Sequence, residues 1–131
     1  MPEYKPPIRD IQFALYELLN AERHYEKIGA LDANRELIDA ILTEGGKFAE
    51  EILAPMHRVG DEQGCKFDNG RVTTPPGFKE AYQQFVASGW PSLAGEVAYG
   101  GQGLPESISV AVNEMVSTAN WAWGMYPGLS H

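Results

Sequence analysis

Leu37, Ile38, Ile41, Leu42, Ala49, Ile52, Leu53 and Met56 keep one helical phase over roughly twenty residues. No other feature restricts the fold as much, because a stripe of that length must be buried along a neighbouring helix. Gly45-Gly46 lies inside the stripe without shifting its phase, so the spacing predicts one long helix with a weak point. Two helical glycines cost about 1 kcal/mol each against alanine, and a close helix crossing would account for them. Pro55 is expected to kink the helix near Glu51. Asp32 is read as its N-cap, and Gly60 and Gly64 as its end.

The flanking segments read as further helices. Asp10 is expected to cap a first one, with Ile11, Ala14, Leu15, Leu18 and Leu19 on one face. Gly29 closes that helix or a frayed stretch in which His24, Tyr25 and Glu26 are solvated. Asn69-Gly70 suits a tight reversal, so a small hairpin-like loop is expected near 65–73. Thr74 is read as the cap of the next helix, with Pro75 in its first turn. Phe78, Ala81, Tyr82, Phe85 and Val86 form its apolar face, and Gly89 is its stop. A glycine-rich loop from Trp90 to Gly103 leads to Pro105. The last helix carries Ile108, Ala111, Val112, Met115 and Ala119, and Gly124 or Pro127 is expected to interrupt it. The fold class is therefore all-α, a bundle-like domain of about four to five helices. No repeat or internal boundary divides residues 1–131.

Charge and composition remove several function classes. Net charge is −8, and lysines and arginines are scattered singly. No basic stripe can replace phosphate counterions, so nucleic acid is excluded as a partner, and an anionic membrane surface would be repelled. No run of about 18 apolar residues appears, and the start at Met1 has no secretory character. Cys65 is the one cysteine, which rules out an internal disulfide and suits a reducing, cytoplasmic setting.

Catalytic signals are sparse. A di-iron bundle needs Glu-x-x-His on facing helices, and no glutamate here has a histidine three residues later. His24, His57 and His131 are far apart, so no metal site is expected. Cys65 has no histidine neighbour in sequence, and no nucleophile elbow occurs. Gly100-Gly101-Gln102-Gly103 resembles a phosphate loop only loosely, since Leu104-Pro105 follows where Lys-Ser or Lys-Thr would. A tight turn packed against another backbone is the plainer reading, and Gly101→Val would then cost roughly 1–3 kcal/mol if Gly101 uses positive φ. Glu50-Glu51 and Asp61-Glu62 read as solvated, and Glu114 as a structural ion-pair partner. Trp121, Trp123, Met125, Tyr126, Pro127 and Leu129 crowd the last eleven residues, where so much aromatic surface normally needs covering. This suggests a chain cut from a longer protein.

Several motifs, in order, resemble the acyl-CoA dehydrogenase family. Tyr4-Lys5-Pro6-Pro7-Ile8-Arg9-Asp10 and Ala54-Pro55-Met56-His57-Arg58-Val59-Gly60-Asp61-Glu62-Gln63-Gly64-Cys65 are similar to its methylthiopropionyl-CoA dehydrogenase branch. Gly89-Trp90-Pro91 with Glu96-Val97-Ala98-Tyr99-Gly100-Gly101-Gln102-Gly103-Leu104-Pro105 is the most specific stretch. Met125-Tyr126-Pro127-Gly128-Leu129-Ser130-His131 resembles the start of the family's next helix. Gly95-Glu96-Val97 departs from the proline-containing version of that loop.

The resemblance implies an N-terminal helical domain, truncated before a middle β-domain. It implies an enzyme that dehydrogenates an acyl-CoA thioester across Cα–Cβ. A glutamate removes the α-proton, FAD accepts the hydride and an electron-transferring flavoprotein takes the electrons. That glutamate and most FAD contacts belong to missing domains, so no catalytic residue is expected here and the piece alone would be inactive. Met125, Tyr126, Gly128 and Leu129 match positions that wall the acyl pocket, or else a domain interface, in a homo-oligomer. The alternative reading is a stand-alone helical interaction module that uses its aromatic end; a ligand-binding bundle is a weaker third.

Overall fold

The structure, a computed structural model, describes residues 3–129. The Met1-Pro2 start, and Ser130 and His131 of the last motif, lie outside the described residues. The fold is all-α with one small hairpin, as the sequence predicts. Helix α1 runs Ile8–Gln12 and continues as a π-helical turn over Phe13–Leu18; α2 is Ala21–Lys27. Helix α3 comprises Arg35–Lys47, a π-helical turn over Phe48–Leu53, and Ala54–Gln63. Helices α4, α5 and α6 are Phe78–Ala87, Glu106–Ala119 and Trp121–Gly128. Strands β1 (Lys66–Asp68) and β2 (Arg71–Thr73) pair antiparallel with Phe67 opposite Val72. Asn69 and Gly70 both have positive φ, as the predicted tight reversal requires.

The stripe on α3 forms the axis of the core. Ile38, Leu42, Ala49 and Leu53 are fully buried, and only Leu37 is exposed. The two glycines lie where the predicted crossing occurs. A Cβ on Gly45 would stand 3.4 Å from Met115 of α5, and one on Gly46 would stand 2.9 Å from Ile8. An alanine at Gly45 would sit in ordinary contact with α5, whereas one at Gly46 would press on the Ile8 and Pro6 side chains, so the N-terminal segment is the closer neighbour of α3. The effect expected of Pro55 takes the form of the π turn just before it. A wider turn relieves the clash between the proline ring and the preceding carbonyls without ending the helix.

Several boundaries differ from the sequence reading, each for a local reason. Helix α1 begins two residues before Asp10, which lies in its first turn. Asn34, rather than Asp32, caps α3 by accepting from the Leu37 amide at 3.0 Å. Gly60 is inside α3, where its missing side chain makes room for the Phe78 ring; Gly64, at φ 56°, ends the helix. Gly77, not Thr74, precedes α4, so Pro75 is outside the helix. Asn20 adopts left-handed geometry just after the first apolar run and divides the expected first helix into α1 and α2. Tyr25 is not solvated: it is buried, with its hydroxyl 2.6 Å from Ser107 of α5. Gly29 closes α2 and Gly89 follows α4, both at positive φ as read from sequence.

Candidate functional site

The Gly100–Gly103 run is a packing element. The amides of Gly100, Gly101, Gln102 and Gly103 donate to the carbonyls of Val97, Glu96, Ser92 and Gly95 at 2.8–3.1 Å. All four donors are spent inside the loop, and a phosphate cradle needs such amides free. Gly101 is not among the positive-φ glycines. Its constraint is instead the Gly95 backbone, whose carbonyl oxygen would stand 2.0 Å from a Cβ at Gly101. The loop seals one end of the core, with Leu93 and Leu104 buried and joined by a backbone hydrogen bond of 2.9 Å.

The remaining polar candidates hold no reactive cluster. Among the described residues, no group of three or more His, Cys, Asp or Glu side chains could hold a metal, and no helix is long and apolar enough to cross a membrane. His24 and His57 are exposed on separate helices, and His131 lies outside the described residues. Glu114 is exposed and joins none of the ion pairs among the described residues, contrary to the structural pairing expected of it. Glu50 is half-buried and pairs with Lys5, while Glu62 pairs with Arg58.

The C-terminal helix carries the predicted pocket residues, and it starts at a junction that the sequence did not reveal. The expected interruption at Gly124 or Pro127 is displaced to Asn120, where the backbone extends (φ −157°). Asn120 is buried; its amide donates to the Leu53 carbonyl at 3.1 Å, and its oxygen accepts from the Trp123 amide at 3.1 Å. One side chain thus caps α6 and ties it to the end of the π turn in α3. Asn-initiated capping was the available signal, but the unbroken apolar pattern on both sides hid it.

Helix α6 has two distinct faces. Trp123 turns inward, and Tyr126, three residues on, lies against Phe78 while remaining 36% exposed. Trp123 is fully buried, packs edge-on against Phe85 at 5.3 Å and donates its indole N–H to the Phe78 carbonyl. Trp121, Met125 and Leu129, spaced by four, form an outward apolar stripe, 63%, 40% and 76% exposed. Met125 and Leu129 therefore share a surface, whereas Tyr126 faces elsewhere. A Cβ on Gly128 would meet nothing within 4 Å. Trp121 joins the stripe although the family motif did not single it out.

Tyr126 packs perpendicular to Phe78, with ring centres 6.0 Å apart, and its hydroxyl lies 3.2 Å from the Cys65 sulfur. This contact, followed by burial, holds its phenol up to about 12. Burial, with charge from Glu114 and Glu50, raises Tyr4, and burial with the hydrogen bond to Asp39 raises Tyr16. A raised tyrosine favours the folded state fully below the unfolded value of about 10 and loses that contribution as pH rises through the folded value. The urea midpoint is expected to fall between about pH 10 and about pH 12, and to fall less in Tyr126→Phe. Equal pH slopes for the two proteins would contradict this assignment.

Two concavities flank these elements. The larger, about 770 Å³, lies beside Tyr4, Lys5, Glu50 and His57. Lys5 is already engaged by Glu3 and Glu50, so a diphosphate meets carboxylates there. The smaller, about 520 Å³, lies between the hairpin, α4 and α6, and a flavin dinucleotide exceeds the drug-sized ligands that suit such a volume.

No family model matches the chain. Among curated proteins it is 39% identical over 133 residues to 3-methylmercaptopropionyl-CoA dehydrogenase of Ruegeria pomeroyi, covering 98% of the chain and 22% of that relative. It is 28% identical over 130 residues to the broad-specificity linear acyl-CoA dehydrogenase FadE5 of Mycobacterium tuberculosis, covering 98% of the chain and 21% of that relative. Butyryl-CoA dehydrogenase of Syntrophomonas wolfei is 34% identical over 94 residues, 66% of the chain and 15% of that relative. The chain spans about a fifth of the length of the first two. With nearly its whole length so aligned, it belongs to the acyl-CoA dehydrogenase family, consistent with an N-terminal helical domain of it.

Proposed function

We propose that this domain serves an FAD-dependent acyl-CoA dehydrogenase in which it walls the acyl pocket and docks the catalytic domains. The outward stripe of Met125 and Leu129, extended by Trp121, supports this reading most directly, because exposed apolar surface on a domain of this family needs a cover. An acyl tail is recognised by just such an apolar wall, and the open space at Gly128 leaves room beside it. Tyr126, turned toward Phe78, supports the wall from behind.

In this reading the polypeptide continues into a middle β-domain and a C-terminal helical domain. Those parts supply the glutamate base and the flavin, which takes hydride from the thioester's β-carbon. Electrons leave to an electron-transferring flavoprotein, and the enzyme is a cytoplasmic homo-oligomer. The chain by itself is inactive.

Two measurements test the reading. The purified chain is expected to be colourless and to leave acyl-CoA thioesters unoxidised, while the longer reading frame yields a yellow, active protein. In that longer protein Met125→Trp is expected to raise KM for long acyl chains relative to short ones by at least about tenfold. An unchanged chain-length profile would leave Met125 at a domain interface and out of the pocket.

A further inference from the structure

We propose that the groove between the hairpin, α4 and α6 binds a small anionic ligand carrying a flat ring, of the nucleoside diphosphate class. The site shares Tyr126 with the helix that carries the acyl wall but faces away from the Met125–Leu129 stripe and does not depend on that reading. The chain has 18 acidic against ten basic side chains, yet among the described residues no carboxylate lines this groove, whereas Arg71 and Lys79 both do. The ion pairs among the described residues are Lys5–Glu3, Lys5–Glu50, Lys47–Glu44 and Arg58–Glu62. Arg71 and Lys79 take part in none of them. Asp68 stands opposite Arg71 in the strand ladder without pairing with it.

Charge screening makes the local cations decisive. At physiological ionic strength the Debye length is about 8 Å, so distant carboxylates are largely masked while the two cations set the potential within the groove. An arginine fork matches a phosphate bidentately, and a lysine adds a compact positive charge beside it.

The rest of the lining suits a ring. Tyr82 is half-buried, Phe78 is buried, and Tyr126 stands perpendicular to Phe78, so an aromatic ligand meets faces and edges on which a base stacks. Thr73 and Thr74 bring hydroxyls to the same wall. A volume of about 520 Å³ suits a drug-sized ligand. Every residue of the two paired strands is exposed, so this wall is weakly braced and can adjust around a ligand.

The purified chain is titrated with ADP, inorganic pyrophosphate and adenosine in separate arms, followed by calorimetry. ADP is expected to bind saturably and more tightly than either fragment, and to weaken as salt is added. Arg71→Ala and Lys79→Ala are each expected to weaken ADP about tenfold, as for loss of one charge-assisted contact. Both side chains are exposed and outside every ion pair among the described residues, so these variants retain the parent melting temperature, which separates lost binding from lost fold. Tyr82→Leu is expected to bring ADP down to the affinity of pyrophosphate. The proposal is overturned by absence of saturable ADP binding, by pyrophosphate binding as tightly as ADP, or by unchanged ADP affinity in the doubly substituted Arg71→Ala, Lys79→Ala chain.

Discussion

Gly101→Val is expected to cost about 4 kcal/mol or more, enough to leave little of a stability that for such domains totals about 5–15 kcal/mol. The cause is a collision between backbones. A Cβ at Gly101 would stand 2.0 Å from the Gly95 carbonyl oxygen and 2.1 Å from its carbon, so the two strands of the loop must separate. Separation breaks the Gly103–Gly95 and Gln102–Ser92 hydrogen bonds and loosens Leu93 and Leu104 from the core. Gly101→Ala should be nearly as damaging, because Cβ alone makes the clash. Gly100→Ala supplies the contrast: that glycine has φ 87° with nothing within 4 Å of its Cβ, so only the left-handed penalty of about 1–2 kcal/mol applies. Denaturant midpoints of the three variants decide the matter. Similar losses at Gly100 and Gly101 would restore the positive-φ explanation that the sequence alone suggested.

That contrast also explains how far the sequence was legible. Positive φ belongs to a residue and its neighbours, so Asn69-Gly70 and Gly89 could be placed by local chemistry. Close approach depends on what lies across the fold. The reason for Gly101 is Gly95, and the reason for Gly46 is Ile8, 38 positions away by residue number. Long periodic elements were read well: apart from exposed Leu37 and half-buried Ile52 and Met56, the α3 stripe is buried, as is the face Ile108, Ala111, Val112, Met115 and Ala119. Caps were read poorly, because Asp10, Asp32 and Thr74 each offer a competent acceptor two or three residues from the true cap position. Tyr25 was misplaced because its partner Ser107 belongs to another helix. In the candidate site, the motifs marked the right helix, but its two faces depend on the Asn120 break, which restarts the helical phase.

Trp123→Ala should therefore cost about 3–5 kcal/mol, while Trp121→Ala in the same chain changes stability by no more than about 0.5 kcal/mol. The two rings are about 200° apart around α6 at 3.6 residues per turn, and they meet different surroundings. Trp123 is enclosed by Phe48, Tyr82 and Phe85, with ring centres 5.3–6.3 Å away, and its N–H satisfies the buried Phe78 carbonyl. Its removal leaves a cavity and an acceptor without its donor, and the second adds about 1–3 kcal/mol if water does not enter. Trp123→Phe fills part of the cavity but not the hydrogen bond, so it should fall between the parent and alanine. Trp121 meets solvent in this chain, so under the proposed docking role its loss would register only in the longer protein, as weaker docking or altered acyl selection. Equal destabilisation by the two alanine substitutions would mean that the rings share one surface. The separation of a structural face from a functional one on α6 would then fail, and with it the assignment of Met125 and Leu129 to the exposed wall.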